Sequence, residues 1–501
     1  MFVISAWLTE TRGQIMQVNR FEIPISDRNQ SFEIVPSSRD GLFLYRHLSA
    51  PDQDHVQLVR LDTTFQQQWS GFIGIEKNYL IMGTRTFDDD LYILLRYRDF
   101  SNNNLILLSI DAASGDFTQH HIRGYIPFTP SEFQVTQHAV VVGGYYNRIP
   151  VVLYYAFATN RSHVLPGLFT EAGELTQIKT YPDGSFDVLI SARNYARQRT
   201  LWIKNYNADG ELLRNLPLTP DENRHLIFGR SLKTDNDRQI VAGVYGSRSA
   251  EYSRGIFIAV IEPSGYEQIR YYNFADLENF FRYMKARREE RIKQRIARKK
   301  IRGKKIRFNY RFLVHELVPY RDEFILLGEA FYPRYITPDR TMYYGFLSNY
   351  SLMANRAIMN GRIFDGYYYT HAVVMGFSEH GDLLWDNSFE INDVKTWTLE
   401  QFVKIDVKPD RAALIYLFDN HIRTKIIHNG EVLEGKSIDP ISTFNDLDVV
   451  KDAKSDKNKL EYWYGDYLYA YGVQDITREG TAGTGAKRRV FFINKVRVGT
   501  E

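Results

Sequence analysis

The sequence predicts an all-β chain, one domain over residues 1–501, folded as a closed ring of four-stranded antiparallel units with a single long helical insertion. Three observations carry this. Paired short hydrophobic runs recur eight times, tight-turn residues recur at fixed places around them, and the last unit ends one strand short while an unassigned strand-like segment lies near the N-terminus.

The first run of each pair reads LFLYRH from Leu42, LYILLRYRD from Leu91, AVVVGGYYN from Ala139 and FDVLISARN from Phe186. It continues as QIVAGVYGS from Gln239, FILLGEAFY from Phe324, AALIYLFDN from Ala412 and YLYAYGVQD from Tyr467. The partners are HVQLVRLD, NLILLSID, PVVLYYAF, TLWIKNYN, GIFIAVIE, HAVVMGFS, TKIIHNG and RVFFINKV. Every run is short and rich in β-branched and aromatic residues, as strands are. The first runs are spaced 49, 48, 47, 53, 85, 88 and 55 residues apart, so a unit of about 50 residues repeats.

Turn chemistry fills the gaps. Asp40-Gly41, Asp88-Asp89-Asp90, Asp183-Gly184, Asp235-Asn236-Asp237, Asp322-Glu323 and Asp410-Arg411 precede first runs. Gly115, Gly210, Gly265, Gly381 and Gly430 follow second runs. These residues tolerate tight hairpin geometry. The unit is therefore strand, Asp-rich turn, strand, polar loop, strand, Gly turn, strand, which resembles the blade of a β-propeller. Eight blades fit the spacing best, with seven as the alternative. The final run, Arg489–Val496, is a third strand, and Gln14–Ile23 is the candidate fourth, a clasp that removes exposed edges.

The two long spacings mark insertions. Residues 275–307 lie between blades 5 and 6 and read as a helix from Asp276 to Arg302, roughly 40 Å long. Leu277, Phe280, Phe281 and Met284 form an apolar base expected to pack on the ring, the remainder is expected to project, and Gly303 is the expected stop. Residues 331–369 lie within blade 6 and are Tyr-rich.

Composition bounds the chemistry. Hydrophobic residues make up 44% and charged residues 25%, in the range of folded soluble domains. Net charge is +3, yet Arg282–Arg307 holds 14 Lys/Arg and 2 Asp/Glu, which leaves the rest of the chain acidic. Cysteine is absent, so disulfides and thiolate chemistry are excluded, and no apolar run reaches the ~20 residues of a membrane span. The N-terminal MFVISAWL is too short for a whole signal peptide and suits a remnant of one. No catalytic, cofactor-binding or metal motif emerges. Asp88-Asp89-Asp90 occupies a repeated turn position, and GTAGTGAK (480–487) lacks the Gly-Lys-Ser/Thr of a phosphate loop. His120-His121 reads as a satisfied strand-edge pair, and no Gly-x-Ser-x-Gly elbow occurs.

Loops on rigid scaffolds carry function, so the candidate partner-binding residues lie in the insertions. They are Arg287, Arg288, Arg291, Lys293, Arg295, Arg298, Lys299, Lys300, Arg302, Lys304 and Lys305 of the basic arm, and Tyr332, Tyr335, Tyr343, Tyr344, Tyr367 and Tyr368 of the Tyr-rich insertion. Clustered like charge repels itself unless an anionic partner relieves it, and Tyr suits contact surfaces. The expected partner is a protein with an acidic surface, or else an anionic lipid surface. Nucleic acid is less favoured, because Lys285–Lys305 has no aromatic platform for base stacking. SEHGDLLWDNSFEIND and the Tyr-rich, Cys-free style resemble propeller proteins of Bacteroidota envelopes. That resemblance implies a periplasmic or outer-membrane-associated scaffold in a secretion- or motility-type assembly, with the cytoplasm as the alternative. An enzyme or sugar-binding protein using the central channel is the second class and is not excluded, since paired carboxylates there would come from different blades.

Overall fold

The computed structural model describes residues 15–499 apart from 28–30, 38–40, 100–102, 169–171, 235–237, 248–250, 337–357, 360–361, 392–393, 451–457 and 479–486 and single positions 222, 266, 410, 429 and 446. Eight antiparallel sheets form the ring. Six have four strands in chain order, as in Glu33–Pro36, Leu42–Leu48, Asp54–Leu61 and Gln67–Ile75 of blade 1. The first strands touch one another from blade to blade and therefore line the channel. All eight paired runs read from the sequence are the second and third strands of their blades.

Those middle strands are continuous hydrophobic runs because neighbouring blades cover both of their faces. In blade 5 every residue of Gln239–Gly246 and of Gly255–Ile261 is buried, whereas the outer strand Glu267–Asn273 is only half-buried. Each seam between blades is a separate apolar core, and eight such cores run round the ring. One fully buried Leu, Ile or Phe contributes about 1.5–3 kcal/mol, so the seams hold the ring.

The expected clasp is present. Ile15–Pro24 pairs antiparallel with Lys487–Val498 as the outer strand of blade 8. The inner edge of that blade comes in two pieces, Asp448–Val450 and Lys459–Tyr462, both paired with Tyr467–Arg478. Trp463, Tyr469 and Phe491 of blade 8 then pack against Ile34, Leu42 and Leu44 of blade 1 and seal the ring.

Asp40, Asp235-Asn236-Asp237 and Asp410 lie outside the described residues, and among the described ones the Asp-rich turn of blade 2 obeys the expected chemistry. Asp88 and Asp89 both have positive φ, +48° and +72°, in the two-residue hairpin between Phe87 and Asp90. That is the conformation a type I′ turn demands, and it explains the carboxylate cluster without a catalytic role. Asp419-Asn420 repeats it between Phe418 and His421.

Candidate functional site

A blade's fourth-to-first connection and its second-to-third hairpin leave the sheet at the same end. Both insertions therefore emerge on one face. The first begins at Asn273, whose side chain accepts from Ala275 N while Asp276 accepts from Asn273 N, each at 3.0 Å. The expected helix does not start here. Asp276, Arg282 and Met284 instead donate backbone bonds three residues back, a series of turns. The physical cause is Asp386 of blade 6. Its carboxylate accepts from Glu278 N and Asn279 N, both at 2.8 Å, which takes these amides away from any helical partner. The three-residue spacing still stacks Phe274, Leu277, Phe280 and Phe281 into the core between blades 5 and 6. The apolar base is thus packed as expected.

The helix proper, α1, is Ala286–Ile301, 16 residues and about 24 Å long. Glu289 in the first turn and Arg298, Lys299 and Lys300 in the last suit its dipole. Gly303 ends it as expected, with φ +60°. Gly303 N donates to Lys300 O and Lys304 N to Lys299 O, both at 3.0 Å, a Schellman closure. The expected projection is corrected: α1 lies along the seam. Ile296 is buried and Ile292 packs on the same core, an i, i+4 pair sufficient to hold the helix down. Arg287, Arg288, Arg291, Arg295 and Arg298 face solvent. Lys293 is half-buried and pairs with Glu289 at 2.8 Å, Lys299 is half-buried, and Lys300 pairs with Asp276 at 3.1 Å. Arg302, Lys304 and Lys305 are exposed beyond the helix end.

The second insertion continues two blade strands. Glu323–Ile336 and Arg362–Ser378 stay paired beyond the sheet, from Phe331 opposite Tyr369 to Ile336 opposite Ile363. On this ribbon Tyr332 stacks on Tyr368 (5.7 Å, 18°) and Arg334 lies over Tyr368. Tyr335 and Tyr367 flank Phe364, with the exposed Trp397 beside it. Tyr343 and Tyr344 lie outside the described residues. The insertions meet at His371, which is wholly buried and stacks face to face on Tyr283 at 3.8 Å, with Phe280 edge-on.

Burial pushes the His371 imidazole down to about 3, against an ordinary value of 6.5. The unfolded chain thus takes up this proton first, so His371 stabilises the fold above pH 6.5 and withdraws that contribution as pH falls towards 3. Between pH 7 and pH 5 the loss is about 2 kcal/mol. His371→Phe is expected to flatten that slope, measured by urea unfolding at both pH values. An unchanged slope would exclude His371 as its source.

Between the end of α1 and blade 5 lies a cleft of about 1150 Å³. One wall carries Lys300, Lys304, Lys305 and Arg307, and the other Arg224, His225, Tyr245 and Arg254. Arg224 rests over the Tyr271 ring at 4.1 Å and pairs with Asp221. The His225 imidazole is held below its ordinary value by burial and then by the charges of Arg193 and Arg199. Two carboxylates, Asp221 and Asp276, face six cations in this cleft, and both are already paired. Among the described residues, no carboxylate reaches Lys304, Lys305 or Arg307 within 4 Å. The surplus is an anion-attracting field. Sequence reasoning placed the cations but missed Arg224, His225 and Arg254, which lie some 50–80 residues away and carry no local signature.

Charges of both signs also gather in the channel. Lys179 of blade 4 reaches Glu316 of blade 6 at 2.7 Å, and Glu132 of blade 3 accepts from Ile178 N at 2.7 Å. Burial raises the Glu132 carboxyl above its ordinary range, with Arg230 and Arg85 opposing.

Ring, clasp and decorated face together define an eight-bladed β-propeller protein. No protein-family profile matches the chain, and no curated protein matches it. Solved structures are similar in fold. Polysaccharide lyase Uly1 is 8% identical with a TM-score of 0.41, over 96% of this chain and 100% of that one. The β-propeller domain of the Trilobed protease from Pyrococcus furiosus is 10% identical with a TM-score of 0.37, over 82% and 98%. The Dos1 propeller is 8% identical with a TM-score of 0.39, over 83% and 94%. Among the described residues no helix is long and apolar enough to cross a membrane.

Proposed function

We propose that this chain is a non-enzymatic scaffold subunit that docks an acidic protein partner on its decorated face. The observation that carries this reading is the fixed cation row of α1. A flexible basic tail spreads its charge; here a packed face at Ile292 and Ile296 holds Arg287, Arg291, Arg295 and Arg298 in one orientation towards solvent. The isolated protein gains nothing from that self-repulsion, whereas an acidic surface would relieve it. The stacked Tyr332–Tyr368 pair and exposed Trp397 on the same face offer the rigid aromatic area that interfaces favour. The stylistic likeness to Bacteroidota envelope proteins extends the proposal to a periplasmic or outer-membrane-associated assembly, which cell fractionation tests.

Reversing Arg287, Arg291, Arg295 and Arg298 to Glu is the direct test. These exposed positions each shift stability by no more than about 0.5 kcal/mol, so the melting temperature is expected to stay nearly constant. Binding of a defined acidic polypeptide such as poly-glutamate, read by titration calorimetry, is expected to disappear. Rising salt should weaken wild-type binding gradually, with screening over about 8 Å at physiological strength. A reversed protein that binds as well as the wild type would leave α1 a solvated strut. A channel ligand is the second reading, favoured by the Glu132 carboxyl among Arg85, Arg230 and Glu316.

A further inference from the structure

After Gly303 the chain runs back along the cleft wall to Tyr310, where it forms an isolated bridge with Ser253. Residues 305–309 alternate like a strand. Lys305, Arg307 and Asn309 are exposed, while Ile306 and Phe308 pack on the core between blades 5 and 6. Yet this segment belongs to no sheet, and among the described residues its backbone amides and carbonyls have no hydrogen-bond partner. Unpaired backbone groups along an extended, side-chain-anchored segment are a template for another strand.

We propose that this edge receives an extended acidic segment of the partner protein by strand addition. The inference rests on the scaffold reading and deepens it, since it specifies how the partner enters. Two features agree on the occupant. The cleft beside this edge carries six cations against two carboxylates that are both already paired, a field that draws an acidic chain. In an added strand, alternate side chains would fall opposite Lys305 and Arg307, where opposite-charge cross-strand pairs are favourable. Main-chain bonds would supply affinity, and Glu or Asp at every second position would supply selectivity.

The test uses the full chain with a fluorescent Glu-Val-Glu-Val-Glu-Val peptide, its Lys-Val counterpart, and two N-methylated versions that block alternate backbone edges with charge unchanged. The Glu peptide is expected to bind and the Lys peptide not. One N-methylation frame is expected to lose at least tenfold in affinity while the other is tolerated. Amide exchange at residues 305–309 should slow on peptide binding. Lys305→Glu with Arg307→Glu should abolish binding at an unchanged melting temperature, and the milder Lys305→Ala with Arg307→Ala should weaken it. Equal binding of both N-methylated peptides, unchanged exchange at 305–309, or no binding of the Glu peptide would each overturn strand addition. If strand addition fails while the α1 charge reversal still abolishes poly-glutamate binding, the scaffold reading stands alone.

Discussion

Removing residues 1–25 is expected to open the ring and lower the denaturant midpoint more than any single substitution described above. The truncation deletes a whole outer strand and exposes the edge of Lys487–Val498. It also removes Arg20, a buried hub of the closure. Its guanidinium bonds Glu22 at 2.7 Å, and Asn494, Gln474 and the carbonyl of Ser442 at 2.8 Å, beneath the Phe492 ring. Arg20→Ala alone should cost about 3–5 kcal/mol, because it strands buried polar partners. Equilibrium unfolding in guanidinium checks both variants. A truncated chain with the wild-type midpoint would mean that the clasp contributes nothing to closure.

Glu329→Ala is expected to be nearly as damaging and to act at another seam. This carboxylate is fully buried in blade 6 and accepts from Val403 N at 2.6 Å and Phe402 N at 3.1 Å, leading into blade 7. His315 shares its second oxygen at 2.7 Å. One side chain thus pins two blades, and its loss leaves two amides and an imidazole unsatisfied. Each buried orphan costs about 1–3 kcal/mol, so the three together are expected to cost roughly 3–9 kcal/mol. Glu329→Gln keeps an acceptor and should recover part of the loss. If Glu329→Ala unfolds at the wild-type midpoint, the pin is dispensable.

The middle strands were readable because blades cover both of their faces and force long β-branched and aromatic runs. Inner and outer strands were hard to read, since they are half-buried: Glu267–Asn273 mixes Tyr271 and Tyr272 with charged residues. The basic arm was visible as composition, and Gly303 as its stop. Its posture was not, because two isoleucines at i and i+4 look negligible amid 14 cations until the seam beneath them is known.

By itself, then, the sequence determined the repeating strands and the terminal clasp, and it favoured eight blades over seven. These follow from local periodicity and backbone preference, which are written in neighbouring residues. Only the tertiary structure decided that Asp386 diverts residues 276–285 from helix, that α1 lies flat, and that Arg224 and Arg254 complete a cationic cleft with Lys304, Lys305 and Arg307. Those outcomes depend on contacts between residues up to 108 positions apart, and no local pattern encodes such a partner.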